Sequence, residues 1–191
     1  IGLKRLMTPS RAGVAESAVR IMRAVQLYSQ RVRPNGYNNA SMDDLRDHVI
    51  IAGFGVAGRF IAEYLADRRI AFVVIETNPN TCSTQTALGV RILHGDISDE
   101  PLLHRAGIER AKVLALAIPD EAAALRATEV ANRLHPGIHI IAATRYTSTG
   151  LQALQNGADE VIVAEQAVAQ EFYRRIAAFM DRSKASAKAG A

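Results

Sequence analysis

From residue 48 onward, short and nearly unbroken apolar runs alternate with longer stretches of mixed polarity. The runs are HVIIAG (48–53), AFVVIE (71–76), VRILHG (90–95), KVLALAI (112–118), IHIIAAT (138–144) and EVIVA (160–164). Continuous Val, Ile, Leu and Ala at this length fit strands buried on both faces of a parallel sheet. The stretches between them predict helices over about 56–68, 79–87, 99–105, 120–134, 147–155 and 165–181. Asn78-Pro79 punctuates the start of the second helix, and His135-Pro136-Gly137 the end of the fourth. Six β–α units in strict alternation predict a doubly wound parallel sheet of six strands in the order 3-2-1-4-5-6.

The residues before 48 follow another period. Val14, Ala18, Ile21, Val25, Tyr28 and Val32 recur at spacings of four and three, a seam along one face of a helix of about five turns. An amphipathic N-terminal helix is expected there, packed on its own domain, on a second copy, or hanging below a membrane domain. PNGYNNAS (34–41) reads as a turn-rich linker. SKASAKAGA (183–191) has no apolar face and is expected to be disordered. The division expected is an arm and linker over 1–47, an α/β domain over 48–165, a C-terminal helix over 166–182 and a tail over 183–191. The C-terminal helix aligns Val168, Phe172, Ile176 and Phe179 after the sheet is complete, which predicts a homodimer through that stripe.

Charge sharpens the division. Residues 1–47 hold eight Lys and Arg against four acids, so the whole net charge of +4 resides in the arm and the rest of the chain is neutral. No aromatic platform or recognition-helix motif accompanies the basic arm, and nucleic acid is not expected as a partner. A single cysteine, Cys82, excludes a disulfide framework and fits a reducing compartment. No apolar run approaches the roughly 18–20 residues needed to span a bilayer. The first residues carry no signal-peptide pattern and begin at Ile1 rather than Met, so a piece of a longer protein is expected.

The candidate chemistry lies in Gly53-Phe54-Gly55-Val56-Ala57-Gly58, a G-x-G-x-x-G directly after a strand and opening a helix. Gly53 suits the tight turn, Gly55 lets a phosphate approach bare backbone, and Gly58 lets helix and sheet pack closely. The helix then aims its free N–H groups at the phosphate charge. The second strand ends in Glu76, eighteen residues after Gly58, where an acid can accept ribose hydroxyls and repel a 2′-phosphate. Asp96 follows the third strand and is placed at the adenosine edge, or serves as a helix cap for the next segment. Thr77, Asn78, Ile97 and Ala117 complete the candidate rim. Arg145, just past the fifth strand, is a candidate for a phosphate or carboxylate, or for a surface ion pair. These features predict a Rossmann-like domain that binds an adenine nucleotide.

Other chemistries find little support. Pro136-Gly137 breaks the helical spacing that His135 and His139 would need to share a metal, and His48, His94 and His104 have no companion ligands at useful spacing. No nucleophile elbow, phosphate-loop lysine or Tyr-x-x-x-Lys pair is present, and no enzyme is expected.

With those residues in hand, the chain resembles the N-lobe of regulator-of-K⁺-conductance domains, the TrkA-N family, over about residues 47–165. The resemblance rests on Asp47 to Gly55, on Val74-Ile75-Glu76 with Asn78-Pro79, and on Gly95-Asp96. Leu102 to Ile108 and Gly157 to Ile162 match in type. It implies a domain on the cytoplasmic face of the membrane that binds NAD(H) or AMP, with ADP or ATP as further candidates. It further implies dimers or larger rings and gating of potassium or proton flux through an attached or partner membrane domain. By analogy Gly53, Gly55 and Gly58 are the phosphate-loop glycines, Glu76 the ribose acid and Asp96 the adenosine-side acid. The basic arm, and a chain that stops after the sixth-strand helix, are most similar to Kef-type cation:proton antiporters. A regulatory subunit of a K⁺ channel or of a Trk/Ktr uptake system is the alternative, and an NAD-dependent oxidoreductase a more distant one. Phe54 and Val56 are apolar where many relatives carry Tyr-Gly-Arg-type loops.

Overall fold

The computed structural model describes residues 42–189, so the arm helix expected over Val14–Val32 lies outside the described residues. The strands are β1 (His48–Ala52), β2 (Phe72–Glu76), β3 (Ile92–His94), β4 (Ala111–Leu116), β5 (His139–Thr144) and β6 (Glu160–Val163). The helices between and after them are α1 (Val56–Asp67), α2 (Pro79–Ala87), α3 (Glu100–Arg105), α4 (Glu121–Leu134), α5 (Thr147–Gln155) and α6 (Ala164–Ala189). All strand pairs are parallel and the order is β3-β2-β1-β4-β5-β6, as the alternation predicts. The order reverses between β1 and β4, which opens a crevice at their carboxyl ends where the chain leaves for helices on opposite faces.

Each face of the sheet has its own core. On one, Ile50, Val73, Leu114 and Ile140 pack against Leu103 of α3 and the alanine ridge Ala124, Ala127 and Ala131 of α4. Small side chains at that spacing let α4 lie close to the strands. On the other, Val49, Ile51 and Val74 pack against Ala62 and Leu65 of α1, with Phe54 buried beneath the loop. This second face is covered unevenly. Ile141 and Ala143 of β5 are half-buried there, and Ile162, in register with Ala143, is 55% exposed.

Two features depart from the sequence pattern. The final helix continues to Ala189, through most of the segment expected to be disordered. Its composition explains this: Ala and Lys extend a helix already formed, even without an apolar face. His48, the first residue of β1, is fully buried; its Nε2 meets the Ala106 carbonyl at 2.8 Å, and its buried Nδ1 has no hydrogen-bond partner among the described residues.

Candidate functional site

The chain leaves β1 through Gly53, whose φ of +87° is a left-handed conformation that favours glycine. The turn is fixed from both sides: Gly53 N–H donates to the Ile75 carbonyl at 2.8 Å, and Ala117 N–H donates to the Ala52 carbonyl at 2.9 Å. A Cβ on Gly58 would lie 1.9 Å from the Gly53 oxygen, so α1 can start this close to the strand only with glycine there. A Cβ on Gly55 would meet nothing within 4 Å. The three glycines therefore divide into two that fit the fold and one that faces open space.

Helix α1 begins with Gly55 as its N-cap residue, with no side-chain cap hydrogen bond and no acid in its first turn. Its leading N–H groups and the positive end of its dipole remain for an anion. The end of β2 presents the opposite chemistry. Glu76 Oε2 accepts the Phe54 N–H at 2.7 Å and Oε1 accepts the Asn78 N–H at 2.8 Å. Oε1 also accepts the Thr77 hydroxyl at 3.4 Å, whereas Oε2 has one bond and keeps acceptor capacity for a ligand hydroxyl. Asn78 turns away into α2, where its Oδ1 accepts the N–H groups of Asn80 and Thr81.

Beyond β3, Asp96 Oδ1 accepts both the N–H and the hydroxyl of Ser98, each at 2.8 Å. Those two bonds, with a smaller attraction from Arg126, hold the Asp96 carboxyl below its ordinary range against partial burial. The cap of α3 falls instead at Asp99. Asp96 thus shapes the turn and borders the crevice.

These elements enclose a cleft of about 420 Å³. Of the residues singled out from sequence, Gly53, Gly55, Glu76, Thr77, Asn78, Asp96, Ile97 and Ala117 line it. Phe54 contributes its amide while its ring is buried, Gly58 serves packing, and Val56 and Ala57 are exposed at the head of α1. Arg145 stands outside the lining: its backbone N–H donates to Glu121 at 2.6 Å, and its guanidinium lies 5.9 Å from the Tyr146 ring centre. The lining also includes Ile75, Gly95, Ile118, Pro119, Asp120 and Ala123, none of which is among the candidate site residues read from sequence. Pro119-Asp120-Glu121 is the available signal, because it opens α4 much as Asn78-Pro79 opens α2. Among the described residues no cluster of His, Cys, Asp and Glu could hold a metal ion, and no helix is long and apolar enough to cross a membrane.

The family model for the TrkA-N domain matches residues 49–164, which takes in all of the cleft and all of the sheet but His48. The chain belongs to the TrkA-N domain family. The TrkA-N domain of the inner membrane protein YbaL from Escherichia coli, a crystal structure, is 30% identical with a TM-score of 0.66; the match covers 69% of this chain and 97% of that one. The glutathione-regulated potassium-efflux system protein KefC of Cronobacter sakazakii is 33% identical over 116 residues, 61% of this chain and 19% of that protein. The Kef CTD of Shewanella denitrificans, solved in its AMP-bound form, has a TM-score of 0.61 at 22% identity and covers 70% of this chain and 80% of that one. This TrkA-N chain spans about a tenth to a quarter of the length of the curated relatives it matches.

Proposed function

We propose that this TrkA-N domain is the cytosolic nucleotide sensor of a Kef-type monovalent cation:proton antiporter. One observation carries the nucleotide reading. An uncapped helix start, bordered by a glycine with open space at its Cβ position, faces the same cleft as the Glu76 carboxylate. Amide donors at one end and an acid at the other match the phosphate and the ribose of an adenine nucleotide. In this reading Gly55 and the first turn of α1 hold phosphate, Glu76 accepts ribose hydroxyls, and Asp96 with Ile97 borders the adenosine. The lining holds no Ser, Cys, Lys or His, and its one hydroxyl, Thr77, points to the same Glu76 carboxylate assigned to the ribose; in this reading the domain binds its ligand without consuming it. AMP or NAD(H) are the leading ligands, and the AMP-bound state of the Kef CTD supports that choice.

The antiporter reading rests on relatives such as the potassium-efflux protein KefC, of which this chain matches one part. Residues 1–47 would connect the sensor to the transport domain. The second copy in a homodimer would dock through α6, where Val168, Phe172, Ile176 and Phe179 are each more than half exposed. The bare strand face around Ile162 is an apolar surface such a helix could cover. For the sensor to gate flux, the assembly must hold two arrangements that bind nucleotide unequally. The test is cation-dependent proton flux by the full transporter in proteoliposomes, with and without AMP or NADH, beside a Gly55→Asp variant. Nucleotide-dependent flux that the variant loses supports the proposal; flux indifferent to nucleotide contradicts it.

A further inference from the structure

Two helices begin at the crevice between β1 and β4, and their N-termini are finished in opposite ways. Helix α1 is open, with no side-chain cap and no acid in its first turn. Helix α4 is closed by the Asp120 carboxylate, whose Oδ1 accepts the Ala123 N–H at 3.0 Å, and it carries Glu121 in its first turn. Glu121 is turned toward the next unit, bonded to the Arg145 N–H and the Thr149 hydroxyl, whereas Asp120 lines the cleft. A helix start that would attract an anion is thereby given a fixed negative charge.

The rest of the lining strengthens the asymmetry. Glu76, Asp96 and Asp120 are three carboxylates around one cleft, and no Lys, Arg or His is among its lining residues. Arg126 acts on Asp96 from outside the lining. The cleft has one element for holding phosphate, at Gly55; in the nucleotide reading Glu76 and Asp96 stand at the ribose and adenosine end, which leaves Asp120 as the acid at the second helix start.

We propose that Asp120 is a charge filter, so that the cleft takes adenosine ligands whose phosphates end at the Gly55 cradle and turns away those extending a further free phosphate. This inference rests on the nucleotide reading of the same cleft. A monophosphate satisfies the filter because its charge stays at the open helix. A dinucleotide satisfies it because its pyrophosphate is esterified at both ends, and the group beyond the pyrophosphate is a ribose with hydroxyl donors. ADP and ATP place free terminal charge near a carboxylate in a partly enclosed space, where like charges interact more strongly than in bulk water. A divalent cation bound to ATP would relieve part of that repulsion.

The test is calorimetry of AMP, ADP and NAD⁺ binding, with EDTA present, on the parent chain and on Asp120→Asn. Asn caps a helix about as well as Asp, so the substitution removes the charge and keeps the start of α4. The ratio of ADP to AMP affinity is expected to rise roughly three- to tenfold. Asp120→Ala, which also loses the cap, should shift that ratio equally while lowering the melting temperature. An unchanged ratio, or an equal gain for both ligands, overturns the filter. If the parent chain binds none of the three ligands, the nucleotide reading itself fails and the filter falls with it.

Discussion

Glu76 Oε2 accepts the backbone N–H of Phe54 at 2.7 Å, tying the end of the second strand to the glycine loop across 22 residues of sequence. The acid proposed for the ribose therefore also holds the glycine loop in place, and in that reading ligand and loop share one carboxylate.

Glu76→Ala should lower both stability and affinity. Loss of a charged hydrogen bond costs about 1–3 kcal/mol, and for a chain of this size that lowers the melting temperature on the order of 5 °C. AMP or NAD affinity should drop roughly tenfold or more, and discrimination against 2′-phosphorylated ligands should relax. Differential scanning fluorimetry and calorimetry read the two effects separately. Parent-like affinity for AMP and NAD would remove Glu76 from the ribose contact.

The glycines should separate fold from binding. Gly55→Asp adds a carboxylate in open space, so it should leave the melting temperature near that of the parent while abolishing nucleotide binding. Gly58→Ala forces a Cβ to within 1.9 Å of the Gly53 oxygen and should destabilise the domain by several kcal/mol. Circular dichroism melts and calorimetry on the pair would show the crossover. Intact binding in Gly55→Asp would remove the loop from the mechanism.

Much of this arrangement is legible in sequence because it is local. Continuous Val/Ile runs set the six parallel strands, and their alternation with helices sets the order in which they pair. The loop glycines announce themselves by spacing. Contacts that join distant segments are not legible: nothing near Phe54 shows that its amide is claimed by Glu76. Asp120 escapes notice because an acid before a helix reads as a cap, and it becomes a cleft residue only when β4 is placed beside β1. Arg145, singled out from sequence, stands outside the cleft lining. It comes after a strand at the ligand-binding edge, but the fifth strand lies one position away from the crevice, the Arg145 N–H donates to Glu121 and its carbonyl accepts the Glu165 N–H.

Acid should weaken the fold through His48. Burial pushes its pKa below 6.5, opposed by its bond to the Ala106 carbonyl and by Asp47, and assisted by Arg110 and Arg91. The unfolded chain then binds a proton that the folded one resists. The stability tied to His48 is complete above pH 6.5 and is lost as pH falls toward the depressed folded value. His104, raised chiefly by Glu109, acts in the opposite sense above pH 6.5, and Asp96 acts below 3.8. Urea unfolding of the parent and of His48→Phe between pH 5 and 6.5 isolates the effect. The variant should show a shallower slope; equal slopes would exclude His48 as its source.

The exposed stripe on α6 should hold the homodimer together. Phe172 is 64% exposed and Ile176 59%, more than a helix covered by its own domain would leave. Phe172→Asp with Ile176→Asp should convert a dimer into a monomer with little change in circular dichroism. Light scattering at tens of micromolar decides, and a monomeric parent chain would contradict the assignment.

The cleft is proposed to bind an adenine nucleotide and return it unchanged. The most direct measurement is a thermal panel of AMP, ADP, ATP, NAD⁺, NADH and NADPH on this chain, with recovery of each ligand after incubation. A ligand at a hundredfold excess over its Kd stabilises by about 2.7 kcal/mol, a melting shift of roughly 5–10 °C. Ranked shifts are expected with every ligand recovered intact, AMP and NAD(H) at the top and NADPH near the bottom beside Glu76. Steady oxidation of NADH, hydrolysis of ATP, or no shift with any of the six would contradict it.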